Sequence, residues 1–139
     1  TARPLAQMPT ALCASPGYLA ALPALRHPRD LTQVNALVMP ARRADQEWLL
    51  RHGAQRATIA PRGNLRVNDM TALIQLAAAG AGVALVPLPI ARRELDDGRL
   101  VDALPGWRGP SVPIHAVYAS RRLPLRLRLF LDELRQALG

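Results

Sequence analysis

Asn68, Asp69 and Thr71 stand where contact with a small ligand is easiest to build. They follow a short apolar stretch, Leu65–Val67. They precede Met70, Leu73, Ile74, Ala77 and Ala81, whose i, i+3, i+4, i+7 spacing predicts a helix with one buried face. Asn68 and Asp69 are good N-caps. The first N–H groups of a helix lack an intrahelical acceptor. A hydroxyl such as that of Thr71 beside them suits a carboxylate or another small anion. Asp69 works against an anion by like charge and suits the orienting of a polar or amino group instead.

The remaining reactive residue types form no catalytic constellation. Ser15 lies in CASPG rather than in the G-x-S-x-G of a strained nucleophile turn, and it reads as a helix cap before Pro16. His27, His52 and His115 are isolated, with no partner at metal-ligand spacing. Gly80 and Gly82 make a G-x-G that follows a helix instead of opening one, so it is not a dinucleotide fingerprint. Cys13 is the only cysteine, which excludes a disulfide framework and a cysteine-based zinc site. No cofactor and no metal is expected, and an enzyme is the least supported class.

The elements that must position these residues are read from the same periodicities. Gly80 stops the helix, and Gly82–Val86 is a buried strand closed by Pro87. Strand, capped helix, glycine turn and strand make a βαβ unit, with the helix N-terminus at a strand end, where open α/β sheets bind ligands. Upstream, Thr10–Cys13 with Ala14 predicts a strand, and Ser15 and Pro16 open a short helix, Gly17–Leu22. Residues 23–33 read as a loop. Ala36–Met39, Glu47–Leu50 and Thr58–Ala60 are strand candidates, with Ala41–Asp45 a charged loop. Downstream come a helix Ile90–Asp97, a strand Leu100–Leu104, a loop Pro105–Pro113 with Trp107, a strand Ile114–Ala119 and a closing amphipathic helix over 124–138. The pattern is mixed α/β.

The totals agree. The chain has 139 residues, enough for one domain or two small lobes, and is 50% hydrophobic but only 4% aromatic, so its core is aliphatic. No apolar run approaches the ~20 residues that span a bilayer. Eighteen basic against ten acidic residues give a net charge of +8, with arginine as every basic residue. GC-rich coding DNA, which the Ala-, Arg-, Pro- and Leu-rich composition reflects, is one reading of the arginine-for-lysine choice, and an anion-binding surface is the other. The arginines are scattered rather than striped, which argues against a direct nucleic-acid surface.

Taken in order, CASPGYLA, HPRDL, LRVNDMTALIQLAAAGAGVALVP, GRLVDALPGW and PIHAVYASRR, followed by the closing helix, resemble the effector-binding domain of LysR-type transcriptional regulators. The likeness runs from about Ala11 to Leu138. It implies a type 2 periplasmic-binding-protein-like fold, a Rossmann-like α/β sandwich of two lobes joined by two crossover strands, here truncated. Residues 1–14 would end the first lobe and carry the first crossover, with Ala11–Ser15 as that strand. Residues 15–118 would form the second lobe, with Ile114–Ala119 the second crossover. Residues 119–139 would return to pack on the first lobe.

Family members begin with a winged helix-turn-helix, a linker helix and most of the first lobe. None of these precedes Thr1, so the chain is expected to be part of a longer, cytoplasmic regulator. The resemblance implies a small effector in an interlobe cleft, lined on this side by Ser15, Pro16, Asn68, Asp69 and Thr71, and the net charge of +8 leans towards an anionic one. It also implies a homo-oligomer, dimer or tetramer, and contact with DNA only through the absent N-terminal domain. No membrane partner is implied. The exposed Leu/Phe face of the last helix is expected to drive self-association or to leave residues 120–139 mobile. A lobe of a transport-type solute-binding protein is the alternative, since it shares the fold.

Overall fold

The structure, a computed structural model, describes residues 7–113. Its centre is a pair of apolar strands, β2 (Thr10–Ala14) and β7 (Val83–Pro87), buried at every position. A continuous TALCA or VALVP run has no polar face to offer water, so it belongs inside a sheet covered on both sides. The two strands pair antiparallel, from Thr10 opposite Pro87 to Cys13 opposite Ala84. Beside β7 runs β3 (Ala36–Val38), parallel to it, and beside β3 runs β6 (Leu65–Arg66), also parallel. On the other flank β8 (Val101–Asp102) pairs antiparallel with β2. The five-stranded order is β6-β3-β7-β2-β8.

Side chains alternate between the faces of a strand, and the two cores follow that alternation. Ala11, Cys13, Ala84 and Val86 pack with Leu73, Ile74 and Ala77 of the helix α2 (Met70–Ala78). Leu12, Ala14, Val83 and Leu85 pack on the opposite face with Leu31, Trp48, Leu50, Leu104 and Trp107. Each fully buried Leu or Val contributes on the order of 2 kcal/mol.

The βαβ unit forms as β6, α2 and β7, but its two strands are not neighbours. The crossover passes over β3, which lies between them. Asp69 caps α2, its carboxylate accepting from Ala72 N at 3.3 Å. At the far end Gly80 takes φ 92°, and the bonds Gly80 N to Ala77 O and Ala81 N to Leu76 O complete a Schellman turn. Gly82 is fixed for a different reason: any Cβ there would run into the Asn35 carbonyl.

Three segments differ from the sequence expectation. Residues 23–33 include a 3-10 helix, Pro28–Gln33, because His27 and Asp30 form a reciprocal cap. His27 Nδ1 accepts from Arg29 N at 3.1 Å, and the Asp30 carboxylate accepts from Arg26 N at 2.9 Å and His27 N at 3.1 Å. The two short strands around Gly53 form one regular hairpin, β4 (Trp48–His52) with β5 (Gln55–Ile59), in register from Trp48 opposite Ile59 to His52 opposite Gln55. The expected helix from Ile90 begins only at Arg92: α3 is Arg92–Asp96, after turns that leave Ile90 and Ala91 in the core.

Ala11–Ala14 lies inside the five-stranded sheet as a buried strand. Beside it, β1 (Gln7–Met8) and β9 (Val112–Pro113) pair antiparallel as a separate two-stranded ladder. The expected strand over 114–119 and the helix over 124–138, with the self-association expected of it, lie outside the described residues.

Candidate functional site

The carboxyl ends of β3, β6 and β7 all point to one edge of the sheet. From β3 the chain passes outward to β6, and from β7 it passes through α3 to β8 on the other flank. The connections therefore diverge between β3 and β7, and such a switch point opens a crevice outside the strand ends. Met39 and Pro40 follow β3 there, Val67 and Asn68 follow β6, and Leu88 follows β7.

The N-terminus of α2 reaches this edge. Val67 N donates to Val38 O at 3.0 Å and holds the end of β6 in the sheet. Asn68 is exposed, Asp69 is half-buried in its capping role, and Thr71 is exposed in the first turn. Asp69 takes Ala72 N, and the N–H groups of Met70 and Thr71 in the first turn have no intrahelical acceptor. These three sequence-predicted residues are therefore brought together.

Ser15 and Pro16 are not part of that group. Ser15 Oγ accepts from Tyr18 N at 3.1 Å and caps α1 (Pro16–Ala20), with Pro16 exposed in its first turn. A methyl on Gly80 would sit 3.5 Å from Ser15 Oγ, which puts Ser15 beside the C-terminal turn of α2. Nine residues of helix span about 13 Å, so the two sets lie at opposite ends of α2. The reason is strand direction: β2 runs antiparallel to β7, so its carboxyl end meets the amino end of β7.

Sequence reasoning passed over Arg42 and Asp45. Asp45 is buried, and its carboxylate accepts from Met39 N (2.8 Å), Trp48 Nε1 (3.0 Å), Arg42 Nε (3.1 Å) and Arg42 Nη2 (2.7 Å). Arg42 Nη2 also donates to Leu85 O at 2.7 Å, a carbonyl of β7 beyond the point where β3 leaves its side. Arg42 Nη1 is buried with no hydrogen-bond partner among the described residues. The network fixes the Met39–Asp45 turn at the same edge and places a guanidinium under it. The legible signal was the spacing Arg42, Asp45, Trp48, a polar pair three residues apart leading to a buried indole.

Elsewhere, burial pushes the Cys13 thiol up to about 12, with the Asp102 carboxylate adding to the rise and Arg108 opposing it. Two backbone N–H donors, from Arg26 and His27, hold the exposed Asp30 carboxyl below its ordinary value. The rings of His27 and His52 lie 5.7 and 5.5 Å from that of the buried Trp107. Among the described residues no group of three His, Cys, Asp or Glu is placed to hold a metal ion. No helix among them is long and apolar enough to cross a membrane. What the strand-end edge offers is hydrogen-bond donors and shape.

Comparison with known proteins gives a consistent picture. The model of the LysR substrate binding domain matches residues 1–139. The chain is 40% identical over 127 residues to the HTH-type transcriptional regulator PtxR of Pseudomonas aeruginosa, covering 91% of this chain and 41% of that protein. It is 29% identical over 133 residues to the HTH-type transcriptional activator AaeR of Escherichia coli, covering 95% and 43%. Among solved structures, the regulatory domain of AphB from Vibrio vulnificus superposes with a TM-score of 0.70 at 25% identity, covering 97% of this chain and 66% of that one. The CrgA regulatory domain from Neisseria meningitidis gives 0.67 at 22% identity, covering 99% and 68%. The chain thus spans about two fifths of the length of these curated relatives.

Proposed function

The chain belongs to the LysR substrate-binding domain family, and from that premise we propose that it is the effector-sensing lobe of a longer DNA-binding transcriptional regulator. The effector is a small anionic metabolite held between two lobes. Residues 15–118 supply one lobe, residues 1–14 lead out of the other, and residues 119–139 return to it. On this lobe the ligand meets the edge where β3, β6 and β7 end. Asn68, Asp69, Thr71 and the free amides of the first turn of α2 face it.

The observation that carries this reading is the convergence of a topological switch point and a helix N-terminus on one edge. Donors there are fixed before the ligand arrives, so binding costs little reorganisation. Ser15 and Pro16, at the other end of α2, take no part in this contact.

Sensing is a population shift. A ligand that touches both lobes favours one relative arrangement, and its leverage equals its difference in affinity for the two arrangements. In a cytoplasmic homo-oligomer, dimer or tetramer, that arrangement sets the spacing of the DNA-binding modules, which are the only parts that touch DNA.

Thr71→Val tests the site. The side chain is exposed, so the fold survives. Binding of organic acids, read as a ligand-dependent rise in melting midpoint of the intact regulator, should weaken about tenfold, the worth of one charge-assisted hydrogen bond. An unchanged dose–response would remove Thr71 from the site.

A further inference from the structure

We infer that the β4–β5 hairpin carries a second ligand site, an arginine row shaped for a small organic dianion with an apolar body. Arg51 and Arg56 are directly opposite in the hairpin register. On its other edge Arg51 pairs with Arg108, exchanging both backbone bonds at 2.8 and 2.9 Å. Directly opposed residues share a face. The Cα atoms of the three arginines therefore stand in one row across the hairpin and the bridged Arg108 segment, with spacings of about 5.5 and 4.5 Å. Trp48 and Leu50 alternate with Leu49 and Arg51 and are buried on the other face, so the arginine face looks outward.

Charge is unbalanced along this row. Arg108 Nη1 holds Asp102 at 2.8 Å. Arg51 and Arg56 have no carboxylate partner among the described residues, although like charges directly opposite on a hairpin repel. One of three positive charges is thus compensated and two are not, which is the demand of a dianion.

The row floors a groove of about 460 Å³. That size falls within the ~300–1,000 Å³ of small-molecule pockets. Leu49, 53% exposed, and Pro110 line the same groove and give an apolar body something to cover. Planar guanidiniums side by side match two carboxylates, or one phosphate monoester, through paired hydrogen bonds. The site lies in the hairpin layer, across the sheet from α2, so it is independent of the strand-end reading.

Isothermal titration of the full chain tests this with three probes at constant ionic strength: phthalate and phenyl phosphate as dianions, benzoate as the monoanion. Both dianions should bind more tightly than benzoate, by about tenfold or more. The Arg51→Gln/Arg56→Gln variant should lose that preference, and Arg51→Lys/Arg56→Lys should recover part of it. Arg62→Gln, at an exposed arginine outside the groove, should leave dianion binding unchanged. Equal affinity for benzoate and phthalate overturns the proposal. So does a double variant that binds as the wild type does. Loss of dianion binding in Thr71→Val alone would move the ligand to the strand-end edge, and would also refute it.

Discussion

Replacing Asp45 by Ala is the sharpest test of how the edge is held. The Asp45 side chain is fully buried and that of Arg42 is 15% exposed. The substitution orphans three groups at once: the Arg42 guanidinium, Met39 N and Trp48 Nε1. Breaking a buried pair from one side costs about 3–5 kcal/mol. Arg42 can turn partly to solvent and keeps its bond to Leu85 O, which places this case near about 3 kcal/mol. For a chain of this size that is a drop of about 10 °C in melting midpoint. Urea unfolding followed by Trp fluorescence reads it directly, since Trp48 and Trp107 are both buried.

A double variant, Arg42→Met/Asp45→Leu, separates charge from packing. It removes the stranded cation but still orphans Met39 N and Trp48 Nε1, so it should lie at least about 1 kcal/mol above Asp45→Ala alone. An Asp45→Ala cost below about 1 kcal/mol, or a double variant no better than the single one, would refute the network as the clamp of the Met39–Asp45 turn.

Gly82→Ala should destabilise by about 1–3 kcal/mol in a thermal melt, because its Cβ meets the Asn35 backbone; an unchanged midpoint would contradict the close approach. Cys13 should resist thiol reagents at neutral pH until the chain unfolds, and rapid labelling of native protein would show the strand to be open. Its thiol titrates near 9.0 when unfolded and about 12 when folded. The thiol's contribution to stability is thus whole below 9.0 and lost as pH rises towards 12, a slope that Cys13→Ala should flatten. Asp30 works in the opposite sense. Its folded carboxyl sits below the ordinary 3.8, so the unfolded chain takes up the proton first. Its contribution is whole above 3.8 and is lost as pH falls through the folded value. Asp30→Asn should remove that part of the acid sensitivity, and identical acid melts for the two proteins would exclude it.

The parts of the fold that were legible in the sequence are those where one local rule decides. TALCA and VALVP could only be buried strands, and Asp69 with Gly80 bounded α2 to within two residues. What was lost needed long-range partners. Nothing local shows that β3 slides between β6 and β7, because that pairing is chosen by the sheet as a whole. Strand direction decided the fate of Ser15 in the same way. Its capping of α1 was readable, but its position beside Gly80 follows from the antiparallel pairing of β2 with β7. Asp45 looked like loop charge because its four donors come from residues whose approach only the folded turn brings about. The arginine row was hidden for a related reason: Arg51, Arg56 and Arg108 are scattered in sequence and become neighbours through register alone.

Hydrogen–deuterium exchange of the regulator with and without an organic acid that raises its melting midpoint tests the central claim most directly. The account predicts added protection at residues 39–42, 67–72 and 87–88, the ends of β3, β6 and β7 with the first turn of α2. Protection confined to the Ser15–Gly80 end of α2, or absent from all three stretches while the ligand is bound, would contradict it.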